Sequence, residues 1–201
     1  MPTPHQPTVR QLLKEHGRDV IIRQAVEDAW ATVKAMPGRT WWRRKTTTAE
    51  LVWEHMIENA IAGLADDKGV RVVPHHDTVS FIICDTVLLR MKKADLQLRT
   101  KNYPTAQATL FHAHESDLFG YPGLQRVEAT YVLNRFATDI DWIGIVAQER
   151  SNILWQFELG ADAEGDVVAF PVAPPAGPAA DRVLKVKDTG AGDEAAQKQD
   201  E

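Results

Sequence analysis

Residues 79–105, VSFIICDTVLLRMKKADLQLRTKNYPT, combine a strand-forming pattern with a cluster of positive charge. The runs VSFIIC at 79–84 and TVLLRM at 86–91 are rich in β-branched and aliphatic residues, which predicts two strands joined by a turn. Five cations then fall within twelve positions, opposed only by Asp95: Arg90, Lys92, Lys93, Arg99 and Lys101. An anion is therefore the expected partner of this stretch.

Strand geometry separates these cations into two groups. Because successive side chains of a strand alternate between faces, Arg90 and Lys92 should project from one face and Lys93 from the other. Arg99 and Lys101 belong to the following loop, which leads to a helix that Pro104 is predicted to begin. Arg90 and Lys92 are therefore the paired candidates for a site.

Three helices are predicted before this stretch. Thr8 can cap a short first helix, because its hydroxyl can accept hydrogen bonds from the free amides of the first turn. Residues 19–36 place apolar side chains at intervals of three and four, which predicts an amphipathic second helix. Thr47 and Glu50 form a capping-box pattern that opens a third helix over residues 47–65.

A second basic segment, RTWWRRK at residues 39–45, connects the second and third predicted helices. Indoles stack on bases while guanidinium groups hold phosphates, so Trp42, Arg43 and Arg44 are candidates for nucleic-acid contacts. The alternative is that one or both of Trp41 and Trp42 anchor this segment in the core, since tryptophan buries a large area.

Acid–base candidates lie on the third helix and after the first strand, residues 70–74. Glu54 and Glu58 fall on one helix face and could give Mg²⁺ a carboxylate ligand, or they could be solvated. His75 and His76 are adjacent, so on a strand they would point to opposite faces and could not both bind one metal. Glu58, His76 and the nearby Asp85 are kept as catalytic candidates.

The second half of the chain predicts more sheet and then a tail. The runs 126–134, 139–148 and 152–159 read as three strands of an antiparallel meander. The predicted fold class is α+β, with N-terminal helices packed on a mainly antiparallel sheet with one further helix. Residues 1–38 form a helical segment of one domain with the α+β core of residues 39–159. Residues 160–201 are predicted to be a disordered acidic tail.

Charge and composition support this division. The tail carries nine acidic and four basic residues, which accounts for the whole net charge of −5, and residues 1–159 hold 19 of each kind. Cys84 is the single cysteine, so a reducing cytoplasm is the expected location. Apolar runs are far shorter than the ~20 residues of a membrane-spanning helix.

The predicted order of a helix, three strands, a helix and a further strand resembles the core of the PD-(D/E)xK nucleases. The resemblance implies a Mg²⁺ site with Asp77 or Asp85 as the strand acid, Lys92 as the lysine, and Glu54 or Glu58 as the helix acid. Arg90 stands where that family has a second carboxylate, which leaves a site that would bind the metal poorly.

Metal-free ribonuclease chemistry makes fewer demands on the chain. Internal attack by a 2′-hydroxyl requires an acid–base group, for which His75 or His76 is available, and cations that stabilise the developing charge. Arg90, Lys92 and Lys93 would serve as those cations. The alternative is that the cations only bind phosphate or discourage pairing at a sheet edge.

The pattern R-x-K-K, then N-x-P-T, a P-G loop and a strand of the Y-x-L type resembles a family of uncharacterised bacterial proteins. Members are often encoded beside a regulator with an XRE-type helix-turn-helix and an ImmA/IrrE-like domain, which implies a toxin–antitoxin or phage-defence context. Thr130 replaces the glycine expected before the tyrosine, and no catalytic residues carry over. The matching residues are Arg90, Lys92, Lys93, Asn102, Pro104, Thr105, Pro122, Gly123, Tyr131 and Leu133.

Together these patterns predict a toxin-like or phage-defence effector that acts on nucleic acid and is neutralised by a cognate regulator, or antitoxin. The alternative is a non-enzymatic partner of that regulator. The catalytic candidates are Arg90, Lys92, Asp85, His76 and Glu58. The candidates for nucleic-acid binding are Lys93, Arg99, Lys101, Arg43, Arg44 and Trp42.

Overall fold

The computed structural model describes residues 3–75, 78–100, 111, 123–150 and 152–160. Within them, three helices pack on one face of a single mixed sheet, and the predicted α+β class is confirmed. Among these residues, no helix is long and apolar enough to span a bilayer. The elements are α1 (Gln6–Lys14), α2 (Arg18–Ala35), α3 (Lys45–Gly63), β1 (Val70–His75), β2 (Thr78–Ile83), β3 (Val87–Ala94), β4 (Gln125–Leu133), β5 (Ile140–Glu149) and β6 (Asn152–Glu158).

The six strands lie in the sheet in the order in which they occur along the chain. Both predicted meanders, β1–β2–β3 and β4–β5–β6, are antiparallel as expected. They meet where β3 and β4 pair in parallel, which the sequence did not predict. A parallel pair needs a crossover connection. The helix predicted to start at Pro104 lies in that crossover, outside the described residues except for Phe111, which is helical.

The two faces of the sheet differ in what they bury. Leu89, Met91, Ala129 and Tyr131 pack with the helices in the largest apolar cluster. On the opposite face, which we call the second face, lie two smaller clusters. Strands β3 and β4 are therefore buried on both sides, so polar side chains on their second face are removed from water as well. The smaller clusters are Ile82, Leu88, Phe111 and Leu124, and Ala94, Leu98, Val132 and Val146.

Two helices begin earlier than their capping patterns predict. Helix α1 starts at Gln6, with Pro7 in its first turn, where the fixed φ of proline is already helical. Thr8 therefore lies inside the helix, and its hydroxyl is 2.9 Å from His5 Nδ1. Helix α3 starts at Lys45, which places Thr47 inside the helix and removes the predicted capping box.

Gly144 on β5 pairs with Thr130 on β4 and admits no side chain. A Cβ atom there would lie 2.2 Å from Trp142 Cζ2 and 2.3 Å from the backbone oxygen of Phe157. We expect Gly144→Ala to lower the free energy of unfolding by about 1–3 kcal/mol, because the backbone oxygen of Phe157 cannot move away from the added methyl group without disturbing the sheet. Denaturant titration measures the change in the free energy of unfolding. An unchanged transition midpoint would contradict the prediction that a side chain at position 144 clashes with its neighbours.

Candidate functional site

The second face of β3 and β4 carries a group of polar side chains that we call the β3–β4 cluster: Arg90, Lys92, Arg126, Glu128 and Thr130. The parallel register pairs Arg90 with Glu128 and Lys92 with Thr130. Paired residues of neighbouring strands point to the same face, about 4.8 Å apart between strands. Lys92 is half-buried, and the other four members are buried.

Side chains and backbone from three surrounding segments hold the cluster in place. Arg90 Nε donates to Ser80 Oγ on β2 at 3.2 Å, and its guanidinium carbon lies 4.3 Å from the centroid of the Phe111 ring. Arg126 Nη1 donates to the carbonyl of Phe111 at 3.4 Å. The Thr100 hydroxyl, just after β3, donates to Glu128 Oε2 at 2.8 Å. The cluster is thus ordered before any ligand arrives.

The charges of the cluster do not balance among its own members. Three cations face one carboxylate, a net charge of +2 for these side chains. Burial lowers the pKa of Arg90; Glu128 opposes that shift and Arg126 adds to it. Burial likewise lowers the pKa of Lys92, opposed by Glu128 and reinforced by Arg90. Repulsion between the cations therefore adds to the effect of burial on both groups.

Two polar atoms of the cluster, on Arg90 and Thr130, are fully buried. Within the part of the chain that the structure describes, the buried atoms Arg90 Nη2 and Thr130 Oγ1 have no hydrogen-bond partner. Leaving a buried donor unsatisfied costs about 1–3 kcal/mol. Arg90 and Thr130 lie on neighbouring strands in successive rows of the register, so an anion with several oxygens matches both.

The structure does not bring two of the predicted catalytic residues to this cluster. Asp85 is exposed in the β2–β3 turn and pairs with Arg71, and Arg90 lies three strand residues, or about 10 Å, beyond the start of β3. Glu58 is exposed on α3, and the sheet separates that helix from the second face. His76, and Asp77 of the nuclease resemblance, lie outside the described residues.

The remaining basic candidates are exposed where the structure describes them. Lys93 and Arg99 are exposed, and Lys101 lies outside the described residues. Arg43 and Arg44 are exposed on the connection between α2 and α3. In the same segment Trp42 is half-buried against the main core, as the anchoring alternative proposed, whereas Trp41 is 83% exposed. The sequence therefore predicts a nucleic-acid contact for the half-buried Trp42 and not for the exposed Trp41.

Sequence reasoning missed the contribution of β4. Arg126, Glu128 and Thr130 alternate with apolar residues, a pattern typical of a strand with one solvated face. In the structure all three are buried, Arg126 donates to the carbonyl of Phe111, and the parallel register places them beside β3. The useful signal was the helix predicted between β3 and β4, because a crossover helix covers the face of the strands that it joins.

The donor set of the cluster limits its capacity for metals. Glu128 is its one carboxylate, and the three cations that share its face would repel Mg²⁺. Elsewhere in the described ranges, no three His, Cys, Asp or Glu side chains gather as a metal site would require. Comparisons of the chain with protein-family models, with curated proteins and with solved structures found no match.

Proposed function

We propose that this protein is an effector that cleaves RNA at the β3–β4 cluster and is neutralised by a cognate regulator. The observation that carries the proposal is the grouping of three cations with one carboxylate on a buried face of two paired strands. Cations fixed in a site of low dielectric stabilise the charge that develops on phosphorus oxygens during cleavage.

Each member of the cluster has a role in attack by a 2′-hydroxyl. Glu128 accepts the proton of that hydroxyl while its oxygen bonds to phosphorus and the bond from phosphorus to the 5′ oxygen breaks. Lys92 donates a proton to the leaving 5′ oxygen, and its lowered pKa makes it a better acid. Arg90 and Arg126 bind the non-bridging oxygens. The products are a 2′,3′-cyclic phosphate and a 5′-hydroxyl.

RNA suits this cluster better than DNA does. DNA has no 2′-hydroxyl, so its cleavage needs another nucleophile, commonly a water activated by metal ions. The single carboxylate of the cluster suits an internal nucleophile that needs only one base.

A second candidate function is supported by the contacts already made within the fold. Arg90 and Glu128 bond to Ser80 and Thr100, and most of the cluster is buried. A network of this kind also serves to fix the packing of a sheet. On that interpretation the protein is non-enzymatic and acts by forming a complex with its regulator.

Expression of the intact chain without its regulator separates the two candidates. We expect arrested growth and RNA fragments that end in cyclic phosphate, and we expect Arg90→Ala or Lys92→Ala to abolish both effects. Lys68→Ala, which removes an exposed lysine between α3 and β1, is the control and should remain toxic. Intact RNA and normal growth with the unmodified chain would exclude the enzyme and favour the complex-forming protein.

A further inference from the structure

Two loops meet at the end of the molecule where β4 finishes. One is the connection between α2 and α3, residues 36–44, and the other is the β4–β5 turn, residues 134–139. Lys34, at the end of α2, forms an ion pair with Asp139 in the turn. The Lys34 hydrogen bond lowers the pKa of the Asp139 carboxyl, and Arg39 contributes a smaller effect of the same sign. The two loops are therefore neighbours.

Each loop exposes one aromatic side chain. Trp41 is 83% exposed and Phe136 is 79% exposed, more than any other large hydrophobic side chain in the described ranges. Aromatic residues usually bury their area in a core, as the adjacent Trp42 does. Two exposed aromatic rings on neighbouring loops indicate a surface on which the planar ring of a ligand can stack.

Trp41 is ordered although it is exposed. Its backbone N–H donates to the carbonyl of Gly38 at 2.9 Å, and Gly38 has a φ of +77°. A Cβ atom on Gly38 would lie 3.2 Å from Trp41 Cε3, so the six-membered ring rests against this glycine. The rest of the indole is left open to solvent. A ring fixed in this way loses little conformational entropy when a ligand stacks on it.

The charges around the two rings favour an anionic ligand. Residues 34–44 and 134–141, which include the two loops, carry five cations and two acids, and one of the acids, Asp139, is paired with Lys34. Arg43 and Arg44 follow Trp41 in one loop, Arg135 precedes Phe136 in the other, and all three are exposed. The full set is Lys34, Arg39, Arg43, Arg44 and Arg135, against Asp139 and Asp141.

We propose that Trp41 and Phe136 form an aromatic platform that binds single-stranded nucleic acid. Unpaired bases stack on the two rings while Arg43, Arg44 and Arg135 bind phosphates. A duplex hides the faces of its bases and is a poor ligand for such a surface. This inference names the substrate class of the proposed function and rests on it. The β4–β5 turn begins four residues after Thr130, so about 13 Å of strand leads from the platform to the β3–β4 cluster.

A binding titration with a DNA probe tests the platform separately from cleavage. The probe is fluorescein-labelled oligo(dT) of twelve nucleotides, which has no 2′-hydroxyl, and its duplex with oligo(dA) is the comparison. We expect the full chain to bind the single strand at least tenfold more tightly than the duplex. Trp41→Leu should weaken that binding about tenfold, the effect of losing one stacked base, whereas Trp41→Phe should keep most of it.

Phe136→Leu should weaken binding in the same way. Leu96→Ala, at a side chain 55% exposed in the loop after β3, is the control and should not. Equal affinity for single strand and duplex, or an affinity unaffected by Trp41→Leu, would overturn the platform. If RNA is cleaved in cells but the titration shows no binding that depends on Trp41, the cleavage proposal is kept and the platform is rejected. If oligo(dT) binding depends on Trp41 while RNA stays intact in cells, the platform stands and the cleavage proposal falls.

Discussion

Replacing Glu128 with glutamine is expected to slow RNA cleavage by about 10²–10⁴-fold, the usual contribution of a general base. Glutamine has nearly the shape of glutamate, and its side-chain oxygen can still accept the hydrogen bond from Thr100. It cannot accept the proton of a 2′-hydroxyl. Single-turnover cleavage of a fluorescent RNA oligonucleotide measures the loss directly.

The same substitution separates catalysis from structure because it leaves the cluster more positive. Net charge among its ionisable side chains rises from +2 to +3, so the variant should bind uncleaved RNA at least as tightly as the original protein does. A catalytic base therefore predicts a lower kcat without a higher KM. Glu54→Gln, on the exposed face of α3, is the matched control. Cleavage by the Glu128 variant at the original rate would exclude Glu128 as the base.

The strands could be predicted from the sequence, and so could the face of the sheet from which many of their side chains project. Alternation in β3 and β4 separates Leu89 and Met91 from Arg90 and Lys92, because side chains in a strand alternate with a period of two. The pairing of β3 with β4 could not be predicted in this way. It joins segments about thirty residues apart along the chain, and no local pattern encodes a parallel register. Without that register, Glu128 has no visible connection to Arg90.

The exposure of individual side chains in the basic segment between α2 and α3 also could not be predicted from the sequence. Its composition indicates a surface for anions, but composition cannot decide which of two adjacent tryptophans is exposed. That choice depends on Gly38, whose positive φ turns the chain so that Trp41 lies on the glycine and Trp42 packs on the core. The β4–β5 turn, which carries Phe136, comes beside the end of α2 only through the fold.

Stability should depend most on a buried arginine remote from the β3–β4 cluster. Arg18, at the start of α2, is 1% exposed and forms two hydrogen bonds with Asp67, Nε to Oδ2 at 2.6 Å and Nη2 to Oδ1 at 3.1 Å. Its Nη1 donates to the carbonyl of Leu12 at 2.6 Å. One side chain thus joins α1, α2 and the turn that follows α3.

Arg18→Ala is expected to lower the free energy of unfolding by about 3–5 kcal/mol, because it leaves the half-buried Asp67 carboxylate and the Leu12 carbonyl without this partner. Arg18→Lys should recover only part of the loss, since an ammonium group cannot reproduce the two-point contact. Arg23→Ala is the control on the same helix. Its ion pairs with Glu27 and Glu158 are partly exposed and should contribute no more than about 1 kcal/mol.

The pH dependence of unfolding provides an independent check on this ion pair. The Arg18 hydrogen bond lowers the pKa of the Asp67 carboxyl; burial opposes the shift, and the Gly69 amide supports it. A carboxyl whose pKa is lower in the folded state contributes its full stabilisation above its unfolded pKa of about 3.9 and loses it as pH falls through the folded value. Denaturant titrations of the original protein and Arg18→Ala should therefore differ most near neutral pH and converge in acid. A difference that stayed constant down to pH 2 would mean that Arg18 stabilises the fold by packing and not through the Asp67 charge.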